Sequence, residues 1–329
     1  MTIDTTSTRR HANSALLSPA IMESLDRIEI AADACSGSVD KEEVSAENYR
    51  DFQQLLSRAL YARLHAGIEN RPDVATSPQH RGDVDIQDAI ERVTPFRFRE
   101  QVATDFRPAL ELPQHPGAYF AIVDGLRVLV PANRILSVKS DTLRLSRATV
   151  NHRLSVGFTY YTSRQGRGEG RDLLRLYKAA TSAEELIPCW QRIVSWGEKQ
   201  GLAFRMKMLS EHDSYPRHDA LVLYLAKDSW NAVGDIISML EGTSDSGVSV
   251  YARPVAQGVG ASWEPLDPSP YRRSISFGEH RSAAFARGLC LAQLAHLPIE
   301  DAIEAAFYTA NIDPLHPYRN LNSPEVILP

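Results

Sequence analysis

Near the N-terminus, apolar residues recur at helical spacing. Residues 18–67 read as helix, most clearly where Phe52, Leu56, Ala59, Leu60 and Leu64 form one stripe, with Ser45 as a candidate N-cap and Gly67 as the stop. The stretch Glu69 to Asp83 carries two prolines and Arg81-Gly82 and reads as a loop or mobile linker, followed by a short helix over Ile86 to Val93. At Pro113 to Gly117 the period changes. Ala118 to Val123 and Leu126 to Val130 flank Asp124-Gly125, a two-residue signal for a type I′ hairpin, and Leu143 to Arg147 and Val156 to Tyr161 read as further strands.

A regular series comes next: strand Leu173 to Ala179, helix Ala183 to Gln200, strand Ala203 to Leu209, strand Ala220 to Ala226, helix Trp230 to Leu240, strand Val248 to Arg253. That order is βαββαβ, the ferredoxin-like arrangement. Its first helix has Ser182 and Glu185 at capping-box spacing, an apolar face of Leu186, Cys189, Trp190, Ile193 and Gly197, and Gly201 at its end. A Pro-rich connection from Arg253 to Tyr271 leads to two final helices, beginning near Ser276 and Pro298. The expected class is therefore α+β. Residues 1–110 form a mostly helical N-terminal region with a flexible tail, and residues 111–329 hold an antiparallel sheet, the βαββαβ module and the C-terminal helices.

Composition narrows the function. With 329 residues and 43% hydrophobic content a sizeable core is available, and a formal charge of -5 argues against general nucleic-acid binding. Any basic site must be local. Cys35, Cys189 and Cys290 are far apart and show no CxxC spacing, which points away from disulfides and zinc and towards a reducing cytoplasm. Met1 to Ser18 lacks the apolar run of a secretory signal, and no stretch approaches the ~20 apolar residues of a membrane span. No GxSxG, HExxH or P-loop sequence occurs.

Period-two alternation places Arg175 and Tyr177 on one strand face opposite Leu174 and Leu176, and Arg205 and Lys207 opposite Phe204, Met206 and Met208. If the chain after Leu209 ends extended, Tyr215, Arg217 and Asp219 project to a common side. Guanidinium, ammonium and phenol together form a phosphate-binding set. The plainer account is a row of solvated salt bridges on an open sheet face, and Asp219 reads as a partner for Arg217 rather than as an acid or base. Ser276-Phe-Gly278-Glu-His280-Arg281 opens an Ala/Leu-rich helix, either as an anion site at a helix N-terminus, as the capping box of Ser276 and Glu279, or as both. Gly166, Gly168 and Gly170 read as a mobile loop rather than a dinucleotide fingerprint. His212 and His280 lie beside cationic residues and are candidate proton donors; a lone histidine of this kind is more often plain surface.

Arg175-Leu-Tyr177, the Phe204-Arg-Met-Lys207 strand, the run Tyr215-Pro-Arg217-His-Asp219 and the later Ser276-Phe-Gly278-x-x-Arg281 resemble the HopA-type type III effector family. That family includes HopA-like lyases of class V lanthipeptide and thioamitide biosynthesis. The resemblance runs from about Tyr49 to the C-terminal helices. Lys178 and Ala180 depart from it, since a large apolar residue and an asparagine are expected there.

The resemblance implies a lyase. A separate kinase would phosphorylate Ser or Thr in a ribosomally made precursor peptide, and this chain would eliminate the phosphate to leave dehydroalanine or dehydrobutyrine, with no cofactor and no metal. Lys207 is the candidate base, its ammonium disfavoured by the arginines around it. Arg175, Tyr177, Arg205, Arg217, Ser276 and Arg281 would hold the phosphate, with Asp219 supporting Arg217, and His212 or Tyr215 would protonate the leaving group. Two other readings use the same residues: a phosphopeptide- or protein-binding effector-like module without turnover, and an enzyme for a small phosphorylated metabolite.

Overall fold

The computed structural model describes residues 16–68, 82–168, 170–242, 247–269 and 275–326. The expected N-terminal tail and the loop from Glu69 lie largely outside these residues, as does Glu169 between Gly168 and Gly170. The chain packs as two compact units. One combines the N-terminal residues up to Leu64 with Pro265–Asn322; the other is His65–Glu264 with the last residues. The change of pattern near Pro113 falls inside the second unit.

In the first unit, Ser18 caps helix α1 (Pro19–Leu25), its Oγ accepting from the Ile21 amide at 3.3 Å. The expected continuous helix does not follow. Strands β1 (Ile28–Ile30), β2 (Ser36–Val39) and β3 (Glu42–Ser45) form a three-stranded antiparallel sheet in that order. Asp40 and Lys41, both at positive φ (52° and 68°), make the two-residue turn between β2 and β3. Ser45 thus ends a strand, and Asn48 is the N-cap of α2 (Tyr49–Leu60), its Oδ1 accepting from the Arg50 and Asp51 amides at 3.1 Å each. Of the expected stripe Phe52, Leu56, Leu60 and Leu64 are buried and Ala59 is half-buried, and Gly67 (φ +72°) ends the helical run after a π-helical turn over Tyr61–Ala66.

The second unit begins with α3 (Val84–Val93), followed by β4 (Phe98–Ala103), β5 (Phe106–Pro108), β6 (Tyr119–Val123), β7 (Leu126–Val130), β8 (Ile135–Val138) and β9 (Leu143–Ala148). These six strands make two small antiparallel sheets, β4-β9-β8 and β5-β6-β7, sharing a core of Ala103, Ala121, Val123, Val130, Leu143 and Leu145. The Asp124-Gly125 hairpin forms as expected, with both residues at positive φ.

Strands β10 (Val150–Ser155), β11 (Phe158–Thr162), β12 (Leu174–Ala180), β13 (Phe204–Leu209), β14 (Arg217–Leu225), β15 (Arg253–Ala256) and β16 (Val259–Trp263) build a seven-stranded antiparallel sheet, ordered β10-β11-β13-β14-β12-β16-β15. Its inner four strands have the ferredoxin-like order. The expected last strand of that module, Val248 to Arg253, is not the one used. Val259–Trp263, every residue buried, pairs with β12 instead, and residues 253–256 form an edge strand whose Pro254 is exposed. An edge position suits Pro254, which has no N–H to give a ladder.

Helix α4 (Ala183–Lys199) covers one sheet face together with α3 and α5 (Val233–Leu240). Leu186, Cys189, Trp190, Ile193 and Gly197 form its buried face. A Cβ on Gly197 would come within 2.6 Å of the Phe204 ring, so glycine lets α4 lie close on β13. The expected capping box is altered, since Ser182 is the N-cap but Glu185 accepts from the Thr181 amide at 3.0 Å.

The chain returns to the first unit with α6 (Phe277–Ala295) and α7 (Ile299–Thr309), which pack on each other, and α2 packs on α6. The class is α+β, with antiparallel sheets and helices at both ends. All three cysteines are free, and among the described residues no helix is long and apolar enough to cross a membrane.

Candidate functional site

Strand register sets two rows of side chains across the seven-stranded sheet, on the face opposite α4. Ser262, Arg175, Tyr224, Arg205 and Thr162 are partners in one row; Gly260, Tyr177, Val222, Lys207 and Tyr160 are partners in the next. Alternation sends Leu174, Leu176, Phe204 and Met206 to the helix-covered side. At the start of β14 the register shifts, Lys178 pairing with Leu221 but Ala180 with Arg217. This bulge re-aims the strand, and Arg217 and Asp219 join Tyr177 and Lys207 rather than Leu221.

Arg217 and Asp219 form a nearly buried two-pronged pair, Nε to Oδ1 at 2.7 Å and Nη2 to Oδ2 at 2.9 Å. Burial alone would raise the Asp219 carboxyl, but Arg217, with His65 and Lys207, holds it well below the usual carboxylate range. Asp219 is thus the partner for Arg217 that the sequence pattern suggests. Buried Arg175 donates from Nε to Glu264 at 2.5 Å and lies over the Tyr224 ring at 5.0 Å. The Tyr177 hydroxyl meets Ser262 Oγ at 2.9 Å, and burial pushes its pKa up.

Lys207 is different. Its half-buried ammonium makes no hydrogen bond or ion pair with any described residue and sits 3.8 Å from the centroid of the Phe158 ring. Burial lowers its pKa most; Arg175 and Arg217 push the same way, while Tyr160 and Asp219 oppose them. Arg205 also lacks a carboxylate among the described residues. Its guanidinium lies between the rings of Tyr160 (5.6 Å) and Tyr224 (4.8 Å), and its buried Nε has no hydrogen-bond partner among the described residues.

His65 completes the group and is not among the residues singled out by the sequence. Buried at the end of the π-helical turn, it meets the Tyr177 ring edge-on at 5.7 Å, hydrogen-bonds Ser249 Oγ through Nδ1 at 2.8 Å, and places Nε2 3.6 Å from Asp219 Oδ2. Burial pushes its pKa down to about 4, so the ring is neutral near pH 7. Its only sequence signal is a histidine two residues before the helix-ending Gly67.

Other expected site residues lie elsewhere. His212 is exposed on a short turn (His212–Ser214), bonded through Nε2 to Asp85 at 2.9 Å and through its amide to Asp83 at 2.7 Å; the Asp85 carboxylate raises its pKa most. Tyr215 packs against the helix-side core and gives its hydroxyl proton to the Leu209 carbonyl at 2.9 Å. Ser276 and Arg281 belong to the first unit. Ser276 forms the full capping box with Glu279. Arg281 is fully buried, donating to the carbonyls of Pro317 (2.8 Å) and Arg319 (3.1 Å) and to Asn320 Oδ1 (3.2 Å), and His280 beside it pairs with Asp267 at 2.9 Å. Those two side chains act as internal supports. Among the described residues no group of three or more His, Cys, Asp and Glu side chains converges to hold a metal ion.

A family model described as the HopA1 effector protein family matches residues 149–319, just over half of the chain. No curated protein matches it. Two solved structures are similar. The effector protein from Pseudomonas syringae pv. tomato strain DC3000 has 12% identity and a TM-score of 0.44, with 82% of this chain and 89% of that chain covered. The effector protein from Pseudomonas syringae pv. syringae strain 61 has 9% identity and a TM-score of 0.43, with 80% and 89% covered.

Proposed function

The chain belongs to the HopA1 effector protein family, and on that footing we propose that it eliminates phosphate from phosphoserine or phosphothreonine in a ribosomally made peptide that a separate kinase has phosphorylated. Lys207 carries this reading: a half-buried ammonium, unpaired among the described residues, whose burial favours the neutral amine, beside guanidinium groups that attract a phosphate.

In the reaction Lys207 Nζ takes the Cα proton, the C–H electron pair becomes the Cα=Cβ double bond, and the Cβ–O bond breaks with its pair leaving on phosphate. Arg217 and Arg175 balance the charge of the departing group, and Tyr177 stands beside them as a neutral donor. The phosphomonoester, with a second pKa near 6, reacts as its monoanion, so that its own proton departs with the leaving group as hydrogen phosphate and no dedicated acid is needed. The positions of His212 and Tyr215 fit this scheme better than proton donation by either.

The test is mass spectrometry of a phosphothreonine peptide incubated with the protein in EDTA. Loss of phosphoric acid is expected, and Lys207→Met should still bind the peptide but not convert it. Full turnover by that variant would reassign the base, and an unchanged peptide with wild-type protein would remove the lyase reading. A second reading, phosphopeptide binding without turnover, is favoured by the internal carboxylates on Arg175 and Arg217. It predicts a stable complex and an unaltered peptide mass.

A further inference from the structure

A cleft of about 780 Å³ opens in the second unit between the small sheets and the seven-stranded sheet. Arg99, Arg147, Arg167 and Arg205 line it, with Asp124 as the one carboxylate among the described lining residues. Asp124 is engaged by Arg147 at 2.9 Å, and Gln101 accepts from both Arg99 (3.1 Å) and Arg147 (2.8 Å). Among the described residues, three of the four guanidinium groups therefore make no ion pair with a carboxylate, and the buried Arg205 Nε has no hydrogen-bond partner. Leu126, Val128 and Leu173 give the walls apolar patches. Such an excess of fixed cation around apolar ground is what an anionic side chain carried on a peptide would satisfy.

Arg205, in the cleft wall, shares a sheet face with Lys207. Arg205 and Lys207 are alternate residues of β13 on one face, roughly 7 Å apart along the strand. An extended peptide advances about 3.3 Å per residue. A phosphoresidue at Lys207 would thus set a neighbour about two to four positions away into the arginine cluster.

We propose that this cleft is an anion subsite for the substrate peptide, selecting an acidic residue, or a second phosphoresidue, two to four positions from the one that reacts. The proposal rests on the peptide reading of the Lys207 site and adds a sequence preference to it. Arg99 and Arg147 are held in place by Gln101 and Asp124, whereas Arg167 is exposed and free to swing onto the bound group.

Fluorescence anisotropy with the full chain tests it, using labelled peptides that share one phosphothreonine. Flanks carry glutamine at positions two to four, glutamate on either side, or a second phosphothreonine. Anionic flanks on one side should tighten binding roughly tenfold, as expected for one or two charge-assisted contacts. In Arg99→Gln/Arg147→Gln the glutamate-to-glutamine affinity ratio should fall to about one, and lysine at the same positions should restore part of it. Arg167→Gln, at an exposed position, gives the same comparison if the double variant fails to fold. Equal affinity for acidic and neutral flanks, or a preference that survives the substitutions, would overturn the assignment. The ratio is a binding measurement, so it is read whether or not phosphate is lost. Acid-dependent binding without elimination would keep the subsite and remove the lyase reading; elimination without flank preference would do the reverse.

Discussion

Acidification should weaken the second unit through one side chain, His65. Burial holds that imidazole at about 4 in the folded chain, against 6.5 when free. Between those values an unfolded chain binds a proton that the folded chain refuses. The neutral ring therefore contributes stability that is fully present above pH 6.5 and is lost as pH falls towards 4, by at most about 1.4 kcal/mol per pH unit and on the order of 3 kcal/mol in all. The assay is urea unfolding followed by tryptophan fluorescence. Trp190, Trp196, Trp230 and Trp263 all lie in the second unit, so the signal reports on that unit alone. Wild type and His65→Gln should be compared at several pH values from 7.5 to 4. Carboxylates other than Asp219 titrate alike in both, and Arg217 still holds Asp219 low in the variant, so the difference between the curves reports chiefly on the ring. That difference should change steadily below pH 6.5 and level off above it. Parallel curves through this window would mean that His65 is not held neutral by burial, and the account of the site's charge would fail with it.

Three further outcomes follow from the packing. Asp219→Ala removes the carboxylate paired with the nearly buried Arg217 guanidinium and should cost about 3 kcal/mol by urea unfolding, with a double-mutant cycle against Arg217→Met giving much less than additive loss. Lys178, fully buried with no hydrogen-bond partner for its Nζ among the described residues, should be replaceable by methionine with a gain on the order of 2 kcal/mol, read as a higher urea midpoint. Gly197→Ala forces a methyl against the Phe204 ring and should lower stability by about 1–3 kcal/mol, whereas Gly201→Ala, with open space around its Cβ, tests backbone strain alone.

Periodicity made much of the second unit readable. Helix α4, strands β12 and β13 and the Asp124-Gly125 hairpin each carry their pattern in adjacent residues, and so do the two rows of polar-face residues. What escaped depends on partners distant in sequence. Val259–Trp263 is written largely in small residues and becomes a central strand only because β12 has a free edge for it. The β2–β3 turn uses Asp40-Lys41, where positive φ is normally advertised by glycine or asparagine. The bulge that turns Arg217 and Asp219 towards Lys207 has no sequence mark. His65 and Glu264 become site residues through contacts with Tyr177, Asp219 and Arg175 that long-range folding creates. The depression of the Lys207 pKa was expected from like charge alone, but burial over Phe158 contributes more, and burial is a property of the folded sheet.

The chain order of the two units has a consequence for synthesis. Helix α2 buries Phe52, Leu56 and Leu60 and packs on α6, yet all of the second unit except its last residues is translated between them. At about 5–20 residues per second, α2 waits on the order of 10–50 s for its partner to leave the ribosome. Throughout that interval it is a bare amphipathic segment, open to chaperones and proteases, while the inserted unit already has the complete set of strands for its own sheet. A transcript cut short after Glu264 would leave the first unit permanently without α6 and α7.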